Sequence, residues 1–335
     1  MWPGQPGGTY AFYSIAHDNV GNVQAPPTNA DAVTFVTSNL PPVIAPVANR
    51  VTPPDSSVSL QVMAADPNGD RLVYSLASSP ATAVINPTNG VFHWLPTRAL
   101  AETTNYVTVV VTDNGLPPLA TNQTFALIVQ DFLELSLGET NVQAGQSAAI
   151  PVTLASDAGV TNLSFAVQVP ENLLTNWSLI PTAPQLGSAT LQDSVTNLLV
   201  TLHAAAGQIL SGSQQVSVLN FSAVTNQVSG FITLPITSVN GFKPDGAGYD
   251  NYLTHAGSVI LVQNEPLIRA LIDTNQARSL QLYGRLGTNY QVMFNTNLNL
   301  PAGWQTLLSY TQTNGVITLP VDAGNPVIFY RLRQP

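Results

Sequence analysis

The chain of 335 residues contains no cysteine. Disulfide bonds, thiolate nucleophiles and cysteine-ligated zinc are therefore excluded as sources of stability or chemistry. The absence of cysteine fits either a cytosolic protein or an exported bacterial protein, so the choice between these compartments depends on the rest of the composition.

Charged residues are also scarce, at 8% of the chain, and basic residues are the scarcest. There are 9 Lys and Arg against 18 Asp and Glu, which gives a formal net charge of −9, and Lys243 is the only lysine. Nucleic-acid binding needs a basic patch that displaces counterions, so that class of function is excluded. Thr, Ser, Asn and Gln supply solubility instead, and this composition favours an exported protein.

Long apolar runs are absent as well. No run approaches the roughly 20 residues that a transmembrane helix needs, so we expect no membrane insertion. The opening residues Met1-Trp2-Pro3-Gly4 lack the basic start and apolar core of a signal peptide. Either the signal lies upstream or the chain begins inside a longer protein, and we favour the second. We expect a secreted or cell-surface location.

What the sequence does contain is a series of short alternating runs separated by turn residues. The hydrophobic fraction is 44%, and 23 Gly and 26 Pro are scattered along the chain. Alternation over four to eight residues between turn signals is typical of half-buried strands, and a chain of this length fits about three domains. The pattern predicts an all-β fold of tandem β-sandwiches with almost no helix.

Residues 1–38 contain two alternating runs, Gly8–Ala16 and Asp31–Val36, around the turn sequence His17–Asn22. The Y-x-F-Y-S-x-A-x-D-x-x-G-N pattern resembles the last two strands of a fibronectin type III or other immunoglobulin-like module. The resemblance implies a truncated domain whose earlier strands are missing. A lone hairpin is marginal in water, so we expect this segment to fray or to lean on the next module.

Two acidic clusters flank strand patterns in residues 39–131. Asp66, Asn68 and Asp70 follow one alternating run, and Asp113 follows another about forty residues later. Two strand ends at one pole of a sandwich can bring these side chains together, and hard oxygen ligands suit calcium. We therefore predict a calcium site at Asp66, Asn68, Asp70 and Asp113, against the alternative that Asp, Asn and Gly only build turns here.

The same clusters, with the run from Asn86 to Thr97, resemble the cadherin-like, putative-immunoglobulin (He_PIG) repeat of bacterial surface proteins. The resemblance covers the whole of residues 39–131. It implies a Greek-key sandwich used in adhesion or as a spacer, often with calcium near the module junction. The match to the calcium-binding acids is partial, because Asp55 occupies an acidic position of the family but no clear Glu ligand follows.

Residues 132–263 form a longer alternating unit. The segment that opens at Gly138–Gln146 follows the pattern G-Q/D-x-x-x-I/V-P-V, and the runs Asn162–Val167 and Gly257–Ile260 agree with it. This unit resembles the cohesin and carbohydrate-binding-module superfamily. The resemblance implies a nine-stranded jelly-roll-like sandwich with a binding face for a dockerin-like protein or for a polysaccharide, and no contact residue can be carried across.

Residues 264–335 contain five further short strand patterns. The run L-x-G-x-x-G-T-N-Y … N-T-N-L … W … F-Y-R-L resembles a small β-sandwich common at the C-termini of secreted proteins from Verrucomicrobia-like bacteria. The resemblance implies no particular activity.

A second candidate site lies in the loop Asp245–His255, where acidic, aromatic and imidazole groups could line a metal or sugar site. The competing interpretation, which we favour, is a glycine-rich loop before the last strand of its module.

Exposed aromatic rings can also stack on sugars. The aromatic residues to consider are Trp94, Trp177, Trp304, Tyr249 and Tyr252. The strand patterns favour a core position for Trp94 and Trp304 and leave Trp177 as a glycan candidate.

Catalysis finds little support in the sequence. There is no Gly-x-Ser-x-Gly motif and no His-Glu-x-x-His pair. A glycosidase-type pair of carboxylates stays open, because its spacing is set in space rather than in sequence.

We expect a non-catalytic part of an exported bacterial protein that serves adhesion, spacing or recruitment of a protein or glycan. The alternative is the accessory binding region of a secreted polysaccharide-degrading enzyme whose catalytic domain lies upstream, and the oligomeric state stays open.

Overall fold

The computed structural model describes residues 4–5, 7–299, 301–321 and 328–335. Within these residues every regular element is a β-strand, apart from two single-turn 3-10 helices, Arg98–Leu100 and Pro301–Gly303. The all-β prediction is confirmed. The chain divides into two compact units, Met1–Gln130 and Asp131–Pro335.

The first unit begins with a hairpin of two strands, β1 (Thr9–Phe12) and β2 (Ala32–Phe35), which pair only with each other. The turn between them is held by Asp18, whose Oδ1 accepts the backbone N–H groups of Val20 and Asn22 at 3.0 and 2.8 Å. Phe12 and Phe35 remain 45% and 58% exposed. The described part of this hairpin therefore contributes no buried core of its own, as a two-stranded sheet cannot.

The rest of the first unit is a β-sandwich. Its strands are β3 (Val43–Ile44), β4 (Arg50–Thr52), β5 (Val58–Gln61), β6 (Ala64–Ala65), β7 (Val73–Ser78), β8 (Val84–Ile85), β9 (Val91–Trp94), β10 (Thr104–Thr112) and β11 (Ala120–Val129). One sheet has the order β4-β11-β10-β7, with β4 parallel to β11, and a second has the order β5-β9-β8. A short pair, β3-β6, completes it.

Alternation along the strands builds the core of this sandwich. In β10, Val107, Val109 and Val111 are buried, while Thr108 and Val110 between them are only partly covered. The opposite sheet contributes Phe92, whose ring meets Phe125 edge-on at 5.8 Å between centroids. Successive side chains of a strand point to opposite faces, so each sheet contributes one apolar face to a shared interior.

The second unit begins with a larger sandwich. Its strands are β12 (Leu133–Leu137), β13 (Glu139–Gln143), β14 (Ser147–Val160), β15 (Asn162–Gln168), β16 (Leu174–Pro181), β17 (Leu186–Ser194), β18 (Asn197–Ala204), β19 (Leu210–Ala223), β20 (Gly230–Leu234), β21 (Ile236–Phe242), β22 (Tyr252–His255) and β23 (Gly257–Val262). They form three sheets with the orders β16-β19-β14-β12-β22, β13-β23-β20 and β17-β18-β15-β21.

The three sheets enclose one apolar core, which includes Leu135, Ile150, Phe165, Val200 and Phe221. This sandwich has twelve strands rather than the nine implied by the cohesin-like resemblance. At Pro235 the chain passes from β20 to β21, which belong to different sheets. Proline has no N–H group to donate to a ladder, so the chain leaves one sheet and enters the next at that residue.

The second unit ends with a small sandwich. Its strands are β24 (Leu267–Ile272), β25 (Arg278–Tyr283), β26 (Asn289–Asn295), β27 (Gln305–Thr311), β28 (Ile317–Val321) and β29 (Phe329–Arg333). The two sheets have the orders β24-β25-β28 and β27-β26-β29, and Leu280, Leu282 and Val292 are buried between them. Trp304, which the pattern placed inside a strand and in the core, instead precedes β27 and is half-buried, with the Arg331 guanidinium 4.3 Å from its ring centroid.

Arg269 on β24 ties the small sandwich to the larger one. Its guanidinium donates two hydrogen bonds to the Glu139 carboxylate, at 2.6 and 2.7 Å, and further bonds to Gln281 and Tyr283. The guanidinium also lies 5.7 Å from the ring centroids of Phe231 and Tyr283. Tyr283 is buried in an apolar cluster with residues of β23, so the two sandwiches share a continuous apolar contact.

Truncating one core side chain tests the inward face of β15. Phe165→Ala should lower the free energy of unfolding by about 3–5 kcal/mol, because a fully buried ring leaves a cavity. Ser164→Ala, at the next position on the outward face, is the matched control and should change it by less than about 0.5 kcal/mol. Urea unfolding of the full chain measures both, and equal effects would contradict the assignment of faces.

A second prediction concerns pH and the Arg269–Glu139 pair. Hydrogen bonding to Arg269 holds the pKa of Glu139 below its ordinary value of 4.5, although partial desolvation opposes this. Arg269→Met should lower the free energy of unfolding by about 1 kcal/mol at pH 7, a modest amount because the pair is partly exposed. A depressed carboxyl pKa stabilises the fold above pH 4.5, and this contribution disappears as pH falls through the lower folded-state value.

Urea unfolding at pH 7, 5, 4 and 3 measures the difference between wild type and Arg269→Met. The difference should be constant between pH 7 and 5 and shrink below that. A difference independent of pH down to pH 3 would show that the ion pair contributes nothing and that only packing was lost.

Candidate functional site

The loop after β6 forms the first part of the predicted calcium site. Asp66 Oδ1 accepts the backbone N–H groups of Asn68 at 2.7 Å and of Asp70 at 3.1 Å, so one carboxylate oxygen closes the turn. Gly69 has φ +81°, a conformation that glycine adopts without strain. This geometry is what the turn interpretation predicts. It uses only Oδ1 of Asp66, and Oδ2 takes no part in closing the turn.

Asp113 follows β10 and is almost fully buried, at 4% exposure. Its Oδ1 accepts hydrogen bonds from the N–H groups of Gly115 and Leu119 and from the Asn39 side-chain amide, each at 3.0 Å. Desolvation by burial raises the pKa of the carboxyl, but these hydrogen bonds together outweigh it and keep the pKa of Asp113 below its ordinary value. The group is therefore held as an anion.

Asn68 connects its loop to the linker that precedes the sandwich. Its Oδ1 accepts the N–H of Leu40 at 2.8 Å, and its Nδ2 donates to the Ser38 carbonyl at 3.1 Å. The N–H of Arg71 donates to Asn114 Oδ1 at 2.8 Å, which joins the same loop to the one that carries Asp113. The linker and the two acidic loops thus meet at one pole of the first sandwich, as the sequence predicts for the strand ends.

Three side-chain oxygens at this pole are buried without a hydrogen-bond partner among the described residues: Asn39 Oδ1, Asp66 Oδ2 and Asp113 Oδ2. Burying an unsatisfied oxygen is costly, and a carboxylate oxygen more so. The oxygens that remain unsatisfied are of the kind that calcium binds, so the residues present fit that ion.

The residues with unsatisfied oxygens at this pole nevertheless differ from the four residues that the sequence predicted. Across the part of the chain that the structure describes, no group of three or more His, Cys, Asp or Glu side chains is arranged to hold a metal ion. Asn68 uses both side-chain polar atoms in hydrogen bonds to the linker. Asn39 was not predicted. A side chain at Gly115 would collide with the Asn39 amide, and the sequence carries no local signal for this contact because the two residues are 76 positions apart.

The loop Asp245–His255 is built by its tyrosines. Tyr249 is buried and its hydroxyl donates to the Ala158 carbonyl at 2.9 Å, and burial raises the pKa of that hydroxyl. The Tyr252 hydroxyl accepts the backbone N–H groups of Gly241 and Tyr249 at 3.2 and 3.3 Å. Both rings point inward, so the structure agrees with the interpretation as a loop rather than as a sugar platform.

The tryptophans also pack against protein. Trp94 is buried in the core of the first sandwich. Trp177 is half-buried, with its ring 5.1 Å from that of Phe221, and its indole N–H is buried without a partner among the described residues. Trp304 is covered on one side by Arg331. Trp177 thus lies at the edge of the core. Its indole N–H is a hydrogen-bond donor that a bound ligand could use.

The outward side of the sheet β17-β18-β15-β21 is a second candidate site, which we call the uncharged face. Its side chains, all within the described residues, lie in register across the four strands and include no Asp, Glu, Lys or Arg. They are Ser188, Thr190, Gln192 and Ser194 of β17; Asn197, Leu199, Thr201 and His203 of β18; Asn162, Ser164, Ala166 and Gln168 of β15; and Ser238, Asn240 and Phe242 of β21.

Leu199 lies near the centre of the uncharged face, with Ala166 opposite it on one side and Gln192 on the other. Leu199 is 40% exposed, and Phe242 at one end of the face is 44% exposed. His203 Nδ1 is hydrogen-bonded to Asn162 Oδ1 at 2.7 Å, which ties that imidazole to the neighbouring strand. Alternation in the sequence indicated the strand at Asn162–Val167, but it did not show that the outward positions of these four strands align.

The described residues include no helix of the length and hydropathy that crossing a bilayer requires.

Comparison with protein families identifies one match. Residues 41–130 match the family He_PIG, described as "Putative Ig domain". The matched region corresponds to the first sandwich and contains Asp66 and Asp113, but not Asn39. Comparison with curated proteins finds no match.

Several solved structures of cohesin domains are similar to part of the chain. A cohesin from Clostridium acetobutylicum, CaCohA2, is 15% identical, with 40% of this chain and 92% of that chain covered and a TM-score of 0.36. A non-cellulosomal cohesin from the archaeon Archaeoglobus fulgidus is 16% identical over 38% of this chain and 90% of its own, with a TM-score of 0.34. A chain of the Coh-OlpA–Doc918 cohesin–dockerin complex from Clostridium thermocellum is 13% identical, with 39% of this chain and 99% of that chain covered and a TM-score of 0.36. These low values carry no inference about function.

Proposed function

We propose that the chain is a non-catalytic binding and spacing segment of an exported bacterial protein, and that the uncharged face of its larger sandwich recruits another protein. The observation that carries the proposal is the composition of that face. It is built on rigid paired strands, has Leu199 and Ala166 at its centre, and is surrounded by hydroxyl and amide side chains.

An apolar centre within a polar rim is the usual arrangement of a protein-binding surface, and charged residues are depleted at the centre of such surfaces. Strands also hold side chains more rigidly than loops, so little conformational entropy is lost when a partner binds. The cohesin-like resemblance of residues 132–263 supports the same class of partner, of which a dockerin-like module is one example.

The alternative partner is a polysaccharide, in which case the chain is an accessory region of a polysaccharide-degrading enzyme. Sugar binding usually relies on exposed aromatic rings. The uncharged face contains neither Trp nor Tyr, and its one aromatic residue, Phe242, lies at an end. Trp177 lies on a different sheet of the same sandwich, so it provides an independent test of this alternative.

We further propose that the pole of the first sandwich binds calcium. Asp66 and Asp113 would supply carboxylate oxygens and Asn39 an amide oxygen, with Asp70 and Asn68 adjacent in the same loop. A bound cation would join the linker to the two acidic loops and would stabilise the folded state, because the unfolded chain cannot assemble the site. Its role would be structural: it would stiffen the point at which the chain enters the sandwich.

The partner class can be tested with the full chain and defined ligands. Isothermal titration with dockerin modules and affinity electrophoresis with soluble xylan and cellulose derivatives separate protein from glycan. We expect binding to a dockerin-type module and none to polysaccharides. Leu199→Asp should weaken the protein binding at least tenfold by placing a charge at the centre of the contact. Thr153→Asp, on the outward side of β14 in another sheet, is the matched control and should leave binding unchanged.

Retardation by a polysaccharide that survives Leu199→Asp and is lost in Trp177→Ala would contradict recruitment through the uncharged face. It would place the binding site on the sheet that contains Trp177 instead.

Calcium binding can be tested by thermal unfolding in EDTA and across a calcium titration. We expect the transition of the first unit to rise by several degrees and to follow calcium concentration, because the ion binds only the folded state. Asp66→Asn and Asp113→Asn should each reduce the calcium-dependent rise in the unfolding temperature. Asp70→Ala tests whether Asp70, in the same loop as Asp66, also contributes to that rise. Asp193→Asn, an exposed acid of the second unit, is the control and should leave the rise intact. An identical transition in EDTA and in millimolar calcium would leave these residues as turn formers.

A further inference from the structure

Lys243, the only lysine of the chain, occupies an unusual position. It follows β21, and its side chain is only 17% exposed. Its Nζ lies 2.7 Å from Oδ2 of Asp131, whose side chain is 2% exposed and which stands just before β12. Elsewhere the chain obtains its solubility from uncharged polar residues, so a single lysine that is withdrawn from solvent requires another explanation.

A buried ion pair is a poor source of stability. Both charges lose their hydration, and their mutual attraction offsets this desolvation free energy only when the geometry is very good. An amide between the same two groups removes both charges while it keeps the contact. We propose that Lys243 and Asp131 are joined by an intramolecular amide cross-link, formed by condensation of the amine with the carboxyl group.

The surroundings of Asp131 suit this reaction. Its Oδ1 accepts the backbone N–H of Asp250 at 2.7 Å, while Oδ2 faces the lysine. When an amine attacks a carboxyl carbon, negative charge develops on the oxygen that remains, and a fixed backbone donor at that oxygen stabilises it. Oδ1 is therefore the atom that becomes the amide carbonyl oxygen, and Oδ2 is the one that leaves.

A second carboxylate lies beside this pair. Asp157 accepts the backbone N–H of Phe132, the residue after Asp131, at 3.0 Å. Asp157, Asp131 and Lys243 all act electrostatically on the hydroxyl of Tyr249, so the four groups lie near one another, with Asp157 at the exposed edge of the group. The Tyr249 ring lies 5.7 Å from Lys243 Nζ and covers the pair from solvent. A carboxylate in this position can carry protons between the amine and the departing oxygen.

The reaction balances without any further reagent. Nζ forms a bond to the Asp131 carboxyl carbon, the bond from that carbon to Oδ2 breaks, and two of the three ammonium protons leave with Oδ2 as one molecule of water. Asp157 accepts a proton from the attacking nitrogen and returns it to the leaving oxygen, so it ends unchanged. The product is a neutral amide that retains one N–H.

The cross-link would connect positions 112 residues apart, from the entrance of the larger sandwich to the segment between β21 and β22. A covalent closure of a long loop restricts the unfolded chain and raises stability, as a disulfide does in proteins that contain cysteine. This chain has no cysteine, so an amide is a means by which it could close such a loop covalently.

Intact-mass spectrometry of the purified full chain tests the proposal. The expected mass is that of the sequence less one molecule of water, and the fragment spectrum should show one branched peptide containing Asp131 and Lys243. After denaturation, an amine-acylating reagent should not label Lys243. Lys243→Arg keeps the positive charge beside Asp131 but cannot form the amide under these conditions, so this variant should have the full mass of its sequence.

Asp157→Asn separates proton transfer from folding. A variant with a wild-type circular dichroism spectrum should retain the full mass or lose water much more slowly than wild type. If the folded wild-type chain has the full mass of its sequence and Lys243 is acylated after denaturation, the pair is an ordinary buried ion pair and the proposal is overturned. Rapid, complete loss of water by Asp157→Asn would remove the role assigned to Asp157 but leave the cross-link.

Discussion

The alternation of apolar and polar side chains along each strand is the constraint on which the rest of the structure depends. Phe165 points into the larger sandwich while Ser164 and Ala166 point away from it, and the same alternation runs through β10 in the first sandwich. Because the sheets bury only one face each, most of the stability comes from apolar packing rather than from charge. The chain can therefore leave outward faces such as the uncharged face free of ionic groups, and this is the feature on which the proposed recruitment of a partner rests.

Several of the few charged residues lie where one segment meets another. Asp113 receives the Asn39 amide where the linker enters the first sandwich, Asp131 meets Lys243 at the entrance of the larger one, and Glu139 meets Arg269 where the small sandwich begins. Alternation fixes the inside of each sandwich but does not fix how successive segments join. Directional hydrogen bonds that involve a charged group supply that information at three different places in a chain that has few charges to use.

These two features support one interpretation of the molecule as a whole. The sandwiches are built from paired strands, whereas the residues with distinctive chemistry lie at their ends. Cation binding at Asp66 and Asp113, and a covalent closure at Lys243, would both strengthen places where the chain enters a module. A segment with these properties is suited to holding a binding surface at a distance from whatever lies beside it, and it needs no catalytic residues to do so.

The sequence alone determined the fold class and most strands, since period-two patterns and turn residues are local signals. It also identified Asp66 and Asp113, because both stand at strand ends. Only the tertiary structure revealed Asn39 and the neighbours of Lys243, because those contacts join positions 74 and 112 residues apart. Alternation could not show that Pro235 divides two sheets, nor that Leu199 aligns with Ala166. Which strands pair, and in what register, is decided by long-range packing, and the sites of this protein are made by that pairing.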